Sequence, residues 1–176
     1  MRWLRFLWVI LAVVAVAAVA QLLFGEQTAE PHLVATRATA TIGSGSDAVA
    51  VGPDGQILAW YPLSEDEALP SLPISSPPES GELAGPLLRQ ARVLGAAPAA
   101  LRPYIEGSYY GESGVDVMLR SGIELRFGDD SRATTKWKAA AAVLADRSIE
   151  ALDYVDLHAP RRPAIGGSGH TLPPLE

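Results

Sequence analysis

VDVMLRSGIELRF, residues 115–127, is the stretch of sequence that decides the fold. Apolar residues stand at every second position from Val115 to Leu119 and again from Ile123 to Phe127, with Ser121-Gly122 between the two runs. A period of two places alternate side chains on one face of a β-strand. Two such runs joined by a two-residue turn that contains glycine predict a tight antiparallel hairpin.

Further helices and strands are predicted on both sides of this hairpin. Apolar residues recur at helical spacing in residues 81–95 and 132–146. Strands are predicted at residues 34–42, 48–51, 56–61, 152–157 and 162–165. Because hairpins join most successive strands, we expect an α+β fold, with a mostly antiparallel sheet, helices on one face and one preceding transmembrane helix. The one strand pair that spans a helix is left open between parallel and antiparallel.

The N-terminal segment predicts a membrane anchor. Residues 6–24, FLWVILAVVAVAAVAQLLF, contain one polar residue, and a helix of this length crosses a hydrocarbon core of about 30 Å. Arg2 and Arg5 precede the segment and Glu26 follows it, which favours a cytoplasmic N-terminus at residues 1–5 and a domain outside the cytoplasm. The anchor residues expected at the two ends of the helix are Phe6, Leu7, Trp8, Leu22, Leu23 and Phe24.

A cleaved signal peptide is the alternative, since Ala18-Val19-Ala20 resembles a cleavage site. The apolar run continues beyond that site and is longer than a typical signal core, which favours the anchor. Beyond it we expect a linker at residues 25–46 with a possible remnant strand, a folded domain at 47–165 and a disordered tail at 166–176.

Charge and cysteine content exclude several classes of function. The net charge is −6, and the part beyond the anchor is more negative by the two positive charges of Arg2 and Arg5. Such a domain has no basic surface for a phosphate backbone, so we expect no nucleic-acid binding. The chain has no cysteine, which excludes disulfides, iron–sulfur clusters and cysteine-based zinc sites.

The sequence contains no recognisable arrangement of catalytic or metal-ligating residues. His32, His158 and His170 are not spaced like ligands on a helix. Asp129 and Asp130 precede a predicted helix, where carboxylates more often interact with the helix N-terminus than with a cation. We therefore expect no enzyme activity, no catalytic or metal site, no cofactor and no small-molecule substrate.

Five segments in a fixed order resemble a known family. They are AVAVGPDGQIL at residues 48–58, LPSLPI at 69–74, VMLRSGIELRFGDDS at 117–131, KWKAAAAVLAD at 136–146 and YVDLHAPRRPAI at 154–165. Together with the anchor, they resemble the FtsQ/DivIB family of bacterial cell-division proteins. Two features depart from the family pattern: His158 replaces the usual arginine after Asp-Leu, and residues 25–46 leave no room for the polypeptide-transport-associated domain.

The resemblance implies a non-enzymatic scaffold of the division machinery that contributes to septum formation. Its expected partners are the single-pass proteins FtsB and FtsL (DivIC and FtsL in some bacteria), one of which adds a strand at the last strand of the sheet. The expected location is the cell membrane at the division septum. The partner-binding residues expected on this basis are Tyr154, Arg162, Pro163, Ala164 and Ile165.

The residues themselves add one argument for this surface. The strand at residues 162–165 is flanked by proline and glycine and is expected at a sheet edge, where unpaired backbone groups can accept a partner strand. The alternative function is a membrane-anchored binding module of the cell envelope unrelated to division. An aromatic-lined groove would favour that alternative, and a bare backbone edge near Ile165 would favour the scaffold.

Overall fold

The computed structural model describes residues 37–64 and 68–174. It contains helices α1 (Gly85–Gly95) and α2 (Ala133–Leu144), with short 3-10 turns at Gly45–Asp47 and Arg102–Tyr104. The strands are β1 (Ala40–Ile42), β2 (Val49–Val51), β3 (Ile57–Leu58), β4 (Ile105–Gly111), β5 (Gly114–Leu119), β6 (Glu124–Gly128), β7 (Ala151–Asp156) and β8 (Ala164–Thr171). Within this described part, no helix has the length and apolar character needed to span a membrane. The predicted anchor, residues 6–24, lies outside it.

The larger sheet has five strands in the order β4-β5-β6-β7-β8. All neighbours are antiparallel except β6 and β7, which are parallel and are connected through α2. The hairpin predicted from residues 115–127 is formed by β5 and β6, and Gly122 in its turn has φ +93°, which favours glycine. The prediction of an α+β fold with a mostly antiparallel sheet is confirmed.

A smaller antiparallel sheet, β1-β2-β3, continues this arrangement. Ser71 makes parallel bridges to Thr41 of β1 and to Gly107 of β4, so backbone pairing links the two sheets through one residue. The β2–β3 hairpin turns at residues 52–55, where Gly55 N donates to Gly52 O over 3.0 Å, as the Pro-Asp-Gly signal predicts.

Both helices pack on the same face of the larger sheet. The indole Nε1 of Trp137 in α2 donates to Val93 O in α1 over 2.7 Å, and its ring centroid lies 4.9 Å from that of Phe127 in β6. α1 begins later than the predicted residue 81 because the backbone of Gly81 and Leu83 hydrogen-bonds to the β2–β3 hairpin instead.

Lys136 of α2 is buried, an unusual position for a lysine. Its Nζ donates to Phe127 O over 2.8 Å, to Asp129 O over 3.0 Å and to Asp129 Oδ1 over 2.5 Å. The interpretation of Asp129 as a helix cap is wrong. Arg132 occupies the N-cap position without a side-chain cap, and the Asp129 carboxylate pairs with Lys136 instead.

Two of the predicted domain boundaries are also wrong. Residues 166–171 belong to β8 rather than to a disordered tail, because β7 supplies hydrogen-bonding partners that composition does not reveal. The folded domain begins before residue 47, since Ala40 and Ile42 of β1 are fully buried in the main core. The possible remnant strand expected within residues 25–46 is present in part, as β1, and belongs to the core of the folded domain.

Candidate functional site

The last strand of the sheet, β8, lies at an edge that no other described strand covers. It pairs with β7, and seven of its eight residues are exposed. The edge at β3 differs, because Ile57 N donates to Gly81 O over 3.0 Å and Leu83 N donates to Gly55 O over 2.7 Å. The backbone of residues 81–83 thus covers the β3 edge, and β8 is left as the open edge of the described chain.

Ladder parity identifies which backbone groups of β8 face outward. Leu157 N donates to Arg126 O over 2.9 Å, so Leu157 and, two residues earlier, Val155 direct their backbone groups toward β6. The intervening Asp156 therefore directs its groups toward β8, where it lies opposite Ala164. Ile165, opposite Val155, is the non-hydrogen-bonded position of this pair, so its N–H and C=O point away from β7.

The edge is interrupted after Gly166 by an irregularity in the pairing. The register shifts between Leu152 and Tyr154, and Gly167 has φ +78°. Asp153 occupies the space beneath this segment: its Oδ1 accepts a hydrogen bond from Gly169 N over 2.7 Å, and a Cβ on Gly167 would lie 2.0 Å from its Oδ2. Such an irregularity twists an edge and limits how far another strand can pair along it.

The sheet face opposite the helices presents a row of polar and aromatic side chains that reaches this edge. The Arg126 guanidinium lies 4.0 Å from the ring centroid of Tyr154 and pairs with Glu124 over 2.7 Å. Glu124 also accepts a hydrogen bond from the Tyr109 hydroxyl. At the edge itself, a Cβ on Gly166 would lie 2.6 Å from the Tyr154 hydroxyl, so glycine leaves room for that ring.

The carboxyl group of Asp116 lies on the same face and is nearly buried. Burial, and next the charge of Glu124, raise its pKa to about 6. Its Oδ1 has no hydrogen-bond partner among the described residues. The pKa of Tyr109 is also raised, by burial and by its hydrogen bond to Glu124.

Asp156 and His158 form a second polar pair at the end of β7. The His158 ring nitrogen Nδ1 lies 2.8 Å from Asp156 Oδ1, which also accepts a hydrogen bond from His158 N over 2.9 Å. Burial alone would raise the pKa of Asp156, but these two hydrogen bonds hold it below its ordinary value. This pair lies next to Ala164, which is opposite Asp156 across the ladder.

The structure brings together three of the five residues predicted from the resemblance. Tyr154, Ala164 and Ile165 meet across the β7–β8 ladder, whereas Arg162 and Pro163 lie in the preceding turn, where Arg162 N donates to Ala159 O. The strand predicted at residues 162–165 begins two residues later, at Ala164. The predicted anchor residues, Phe6, Leu7, Trp8, Leu22, Leu23 and Phe24, lie outside the described residues.

Sequence reasoning missed the polar row on the open face that leads to Tyr154. Glu124 and Arg126 lie next to Tyr154, and Tyr109 and Asp116 continue the row on β4 and β5. In the sequence, these residues appear only as the polar positions that alternate with apolar ones in the hairpin. This alternation shows which residues share a face of a strand, but not which residues of neighbouring strands lie opposite each other. Among residues 37–64 and 68–174, no group of three metal-ligating side chains is present.

Comparison with known proteins gives one family match. The sequence model described as the cell division protein FtsQ/DivIB, C-terminal, matches residues 40–158. The match spans all elements from β1 to β7 and ends before β8. A search of curated proteins finds no match.

Proposed function

We propose, since the chain belongs to the FtsQ/DivIB family of cell division proteins, that it serves cell division as a non-enzymatic scaffold that binds a partner strand along β8. Family membership implies the role in cell division. The open β8 edge supports the binding mode, because Ile165 presents an N–H and a C=O that another strand can satisfy.

The proposed partners are FtsB-like and FtsL-like (or DivIC-like) single-pass proteins. A strand added at β8 meets a short pairing segment, since Pro163 lacks an N–H and the register breaks after Gly166. Tyr154 and Arg126 lie beside this segment on the open face and provide side-chain contacts for the partner. A bare backbone edge near Ile165, rather than an aromatic-lined groove, favours this scaffold over a general envelope-binding module.

The proposed location is the cell membrane at the division septum. Residues 6–24 serve as the anchor in this proposal, with residues 1–5 in the cytoplasm and the described domain outside it. An N-terminal fluorescent fusion of the full-length chain is expected to collect at midcell. Uniform fluorescence around the cell would contradict a septal role.

Two proline substitutions test the binding edge directly. Ile165→Pro deletes an N–H that points away from β7, whereas Ala164→Pro deletes one that points toward it. In detergent pull-downs of the tagged full-length chain from its own membranes, Ile165→Pro is expected to lose small single-pass partners at near wild-type thermal stability. Ala164→Pro is expected to lose both partner recovery and stability, since it breaks the β7–β8 ladder.

Ile165→Ala is the matched control for this experiment. It keeps the backbone N–H and removes only the side chain, which is 44% exposed, so most of the partner recovery is expected to remain. Partner recovery by Ile165→Pro equal to that of the wild type would contradict strand addition at this position.

A further inference from the structure

A second candidate site lies away from β7 and β8. It is a cleft of about 250 Å³ formed by residues 37–39, the Leu-Pro segment at 68–70, and the region around the second 3-10 turn. Two of its lining residues are cations, Arg37 and Arg102, and the rest are mainly small or apolar. None of the described lining residues is a carboxylate, and the acidic residues Glu65, Asp66 and Glu67, which precede Ala68, lie outside the described residues.

The guanidinium of Arg102 is incompletely satisfied within the described chain. Its Nε donates to Ala97 O over 3.0 Å, but its Nη1 is buried and has no hydrogen-bond partner there. Burial, and next the positive charge of Arg37, lower the pKa of Arg102. Arg120 is not a lining residue, but its Nε donates to the carbonyl of the lining residue Pro103 over 3.1 Å. Guanidinium groups with unused donors are common recognition elements for a phosphate.

Apolar and aromatic residues continue from the cleft to the surface. Ala38 and Leu69 line the cleft and also belong to a small apolar cluster that includes Tyr61. The neighbouring Trp60 is 71% exposed, and its ring centroid lies 6.2 Å from that of Tyr61. Exposed tryptophan is typical of a protein surface at the bilayer interface, where cationic side chains can bind lipid headgroups.

We propose that the cleft between Arg37 and Arg102 binds the phosphate of an anionic phospholipid, while Trp60 contacts the lipid at the bilayer interface. Free inorganic phosphate would contact the two arginines but not the apolar lining residues or the exposed Trp60 indole. The proposal is independent of partner binding, because no residue of the cleft belongs to β7 or β8.

Calorimetric titration of the full-length chain in non-ionic detergent micelles tests the proposal. The probes are dihexanoyl-phosphatidylglycerol, the zwitterionic dihexanoyl-phosphatidylcholine, and inorganic phosphate. Saturable binding of the phosphatidylglycerol is expected, with the other two probes at least about tenfold weaker. Arg37→Gln and Arg102→Gln are each expected to weaken this binding about tenfold or more, which corresponds to loss of one charge-assisted hydrogen bond.

Arg147→Gln is the matched control, because it removes the same charge from an exposed position after α2 and is expected to leave binding unchanged. Trp60→Ala is expected to weaken phosphatidylglycerol binding and to leave any response to inorganic phosphate unchanged. Thermal melts monitored by circular dichroism establish that each variant is folded. Equal affinity for inorganic phosphate and phosphatidylglycerol would overturn the lipid assignment, and wild-type affinity in the Arg37→Gln/Arg102→Gln double variant would overturn the cleft as the site.

Discussion

The two faces of the five-stranded sheet differ in what their side chains do. The covered face packs against α1 and α2, and the open face carries the row of polar and aromatic residues that ends at β8. Fully buried residues on and just beyond the strands of the covered face include Val115, Val117, Leu119, Leu125, Phe127, Val155 and Leu157. Alternate residues of the same strands thus supply the core on one side and a candidate recognition surface on the other.

The two faces therefore contribute differently to folding and to binding. Apolar burial, which dominates the free energy of folding, is concentrated on the covered face. β8 adds little to it, because it consists of small and polar residues around the exposed Ile165. Substitutions on the covered face are therefore expected to lower stability, whereas substitutions that change only the outward-facing groups of β8, such as Ile165→Pro, are expected to change binding at nearly constant stability.

The largest expected effect on the covered face comes from Trp137→Ala. The indole is fully buried, stacks near Phe127 and donates a hydrogen bond to Val93 O. Loss of a buried tryptophan costs about 3–5 kcal/mol of the free energy of unfolding. Urea unfolding of the full-length chain in detergent, followed by circular dichroism, measures it.

Trp137→Phe sharpens the same measurement. It keeps most of the apolar volume but removes the indole hydrogen bond to Val93 O, which still accepts one from Ala96 N over 3.2 Å, so a smaller loss of about 1–3 kcal/mol is expected. A loss below about 1 kcal/mol for Trp137→Ala would show that the covered face does not dominate stability.

Lys136→Met tests the only buried lysine of the described chain. Removing its ammonium deletes the hydrogen bonds to Phe127 O and Asp129 O, at an expected loss of about 2–3 kcal/mol. Lys138→Met, two positions away and exposed, is expected to stay within about 0.5 kcal/mol of the wild type. Similar losses in the two variants, measured by urea unfolding, would contradict a structural role for the buried ammonium.

The pH dependence of this pair has a defined sign. Hydrogen bonds from Lys136 and then from Ser131 lower the pKa of Asp129 to about 2. The stabilisation that they provide is present above the unfolded pKa near 4 and is lost as the pH falls toward 2. Because the Asp129 side chain is 62% exposed, solvent screening limits this contribution to about 1 kcal/mol or less.

Local pattern predicted the elements whose partners are near in sequence. The β5–β6 hairpin follows from strict alternation and from a turn in which Gly122 takes a positive φ. Helix α2 follows from its apolar spacing, yet the burial of Lys136 does not. That burial depends on carbonyls at the end of β6, which the chain brings to the helix only in the folded state.

Residues 166–171 show why amino-acid composition gave a wrong prediction of disorder for β8. A glycine- and serine-rich segment such as residues 166–169 normally indicates flexibility, because no local side-chain contact restricts its backbone. Here the ordering comes from β7, where the Asp153 carboxylate accepts the Gly169 N–H. The His170 ring also lies against the β5–β6 turn, 2.5 Å from where a Cβ of Gly122 would be.

The candidate site was only partly predicted, because its remaining residues come from strands distant in the sequence. Tyr154, Ala164 and Ile165 were expected from the resemblance, but their neighbours Arg126 and Glu124 were not. Identifying them requires the parallel register of β6 and β7, which places Glu124 opposite Tyr154. A strand pair connected through a helix has no turn to fix that register, so the sequence left it open.

Asp116→Asn tests whether a charged group on the open face lowers stability, with an expected gain smaller than the losses for Trp137→Ala and Lys136→Met. Because the folded pKa of Asp116 is raised to about 6, the protonated form is favoured in the folded chain. The resulting stabilisation is complete below the unfolded pKa near 4 and is lost as the pH rises through 6, so at pH 7.5 the wild type keeps a poorly solvated carboxylate. Asp116→Asn is therefore expected to raise stability by about 1–2 kcal/mol at pH 7.5 and to leave it nearly unchanged at pH 4. Urea unfolding at the two pH values measures the difference, and an equal effect at both would mean that the charge of Asp116 is not what costs the open face its stability.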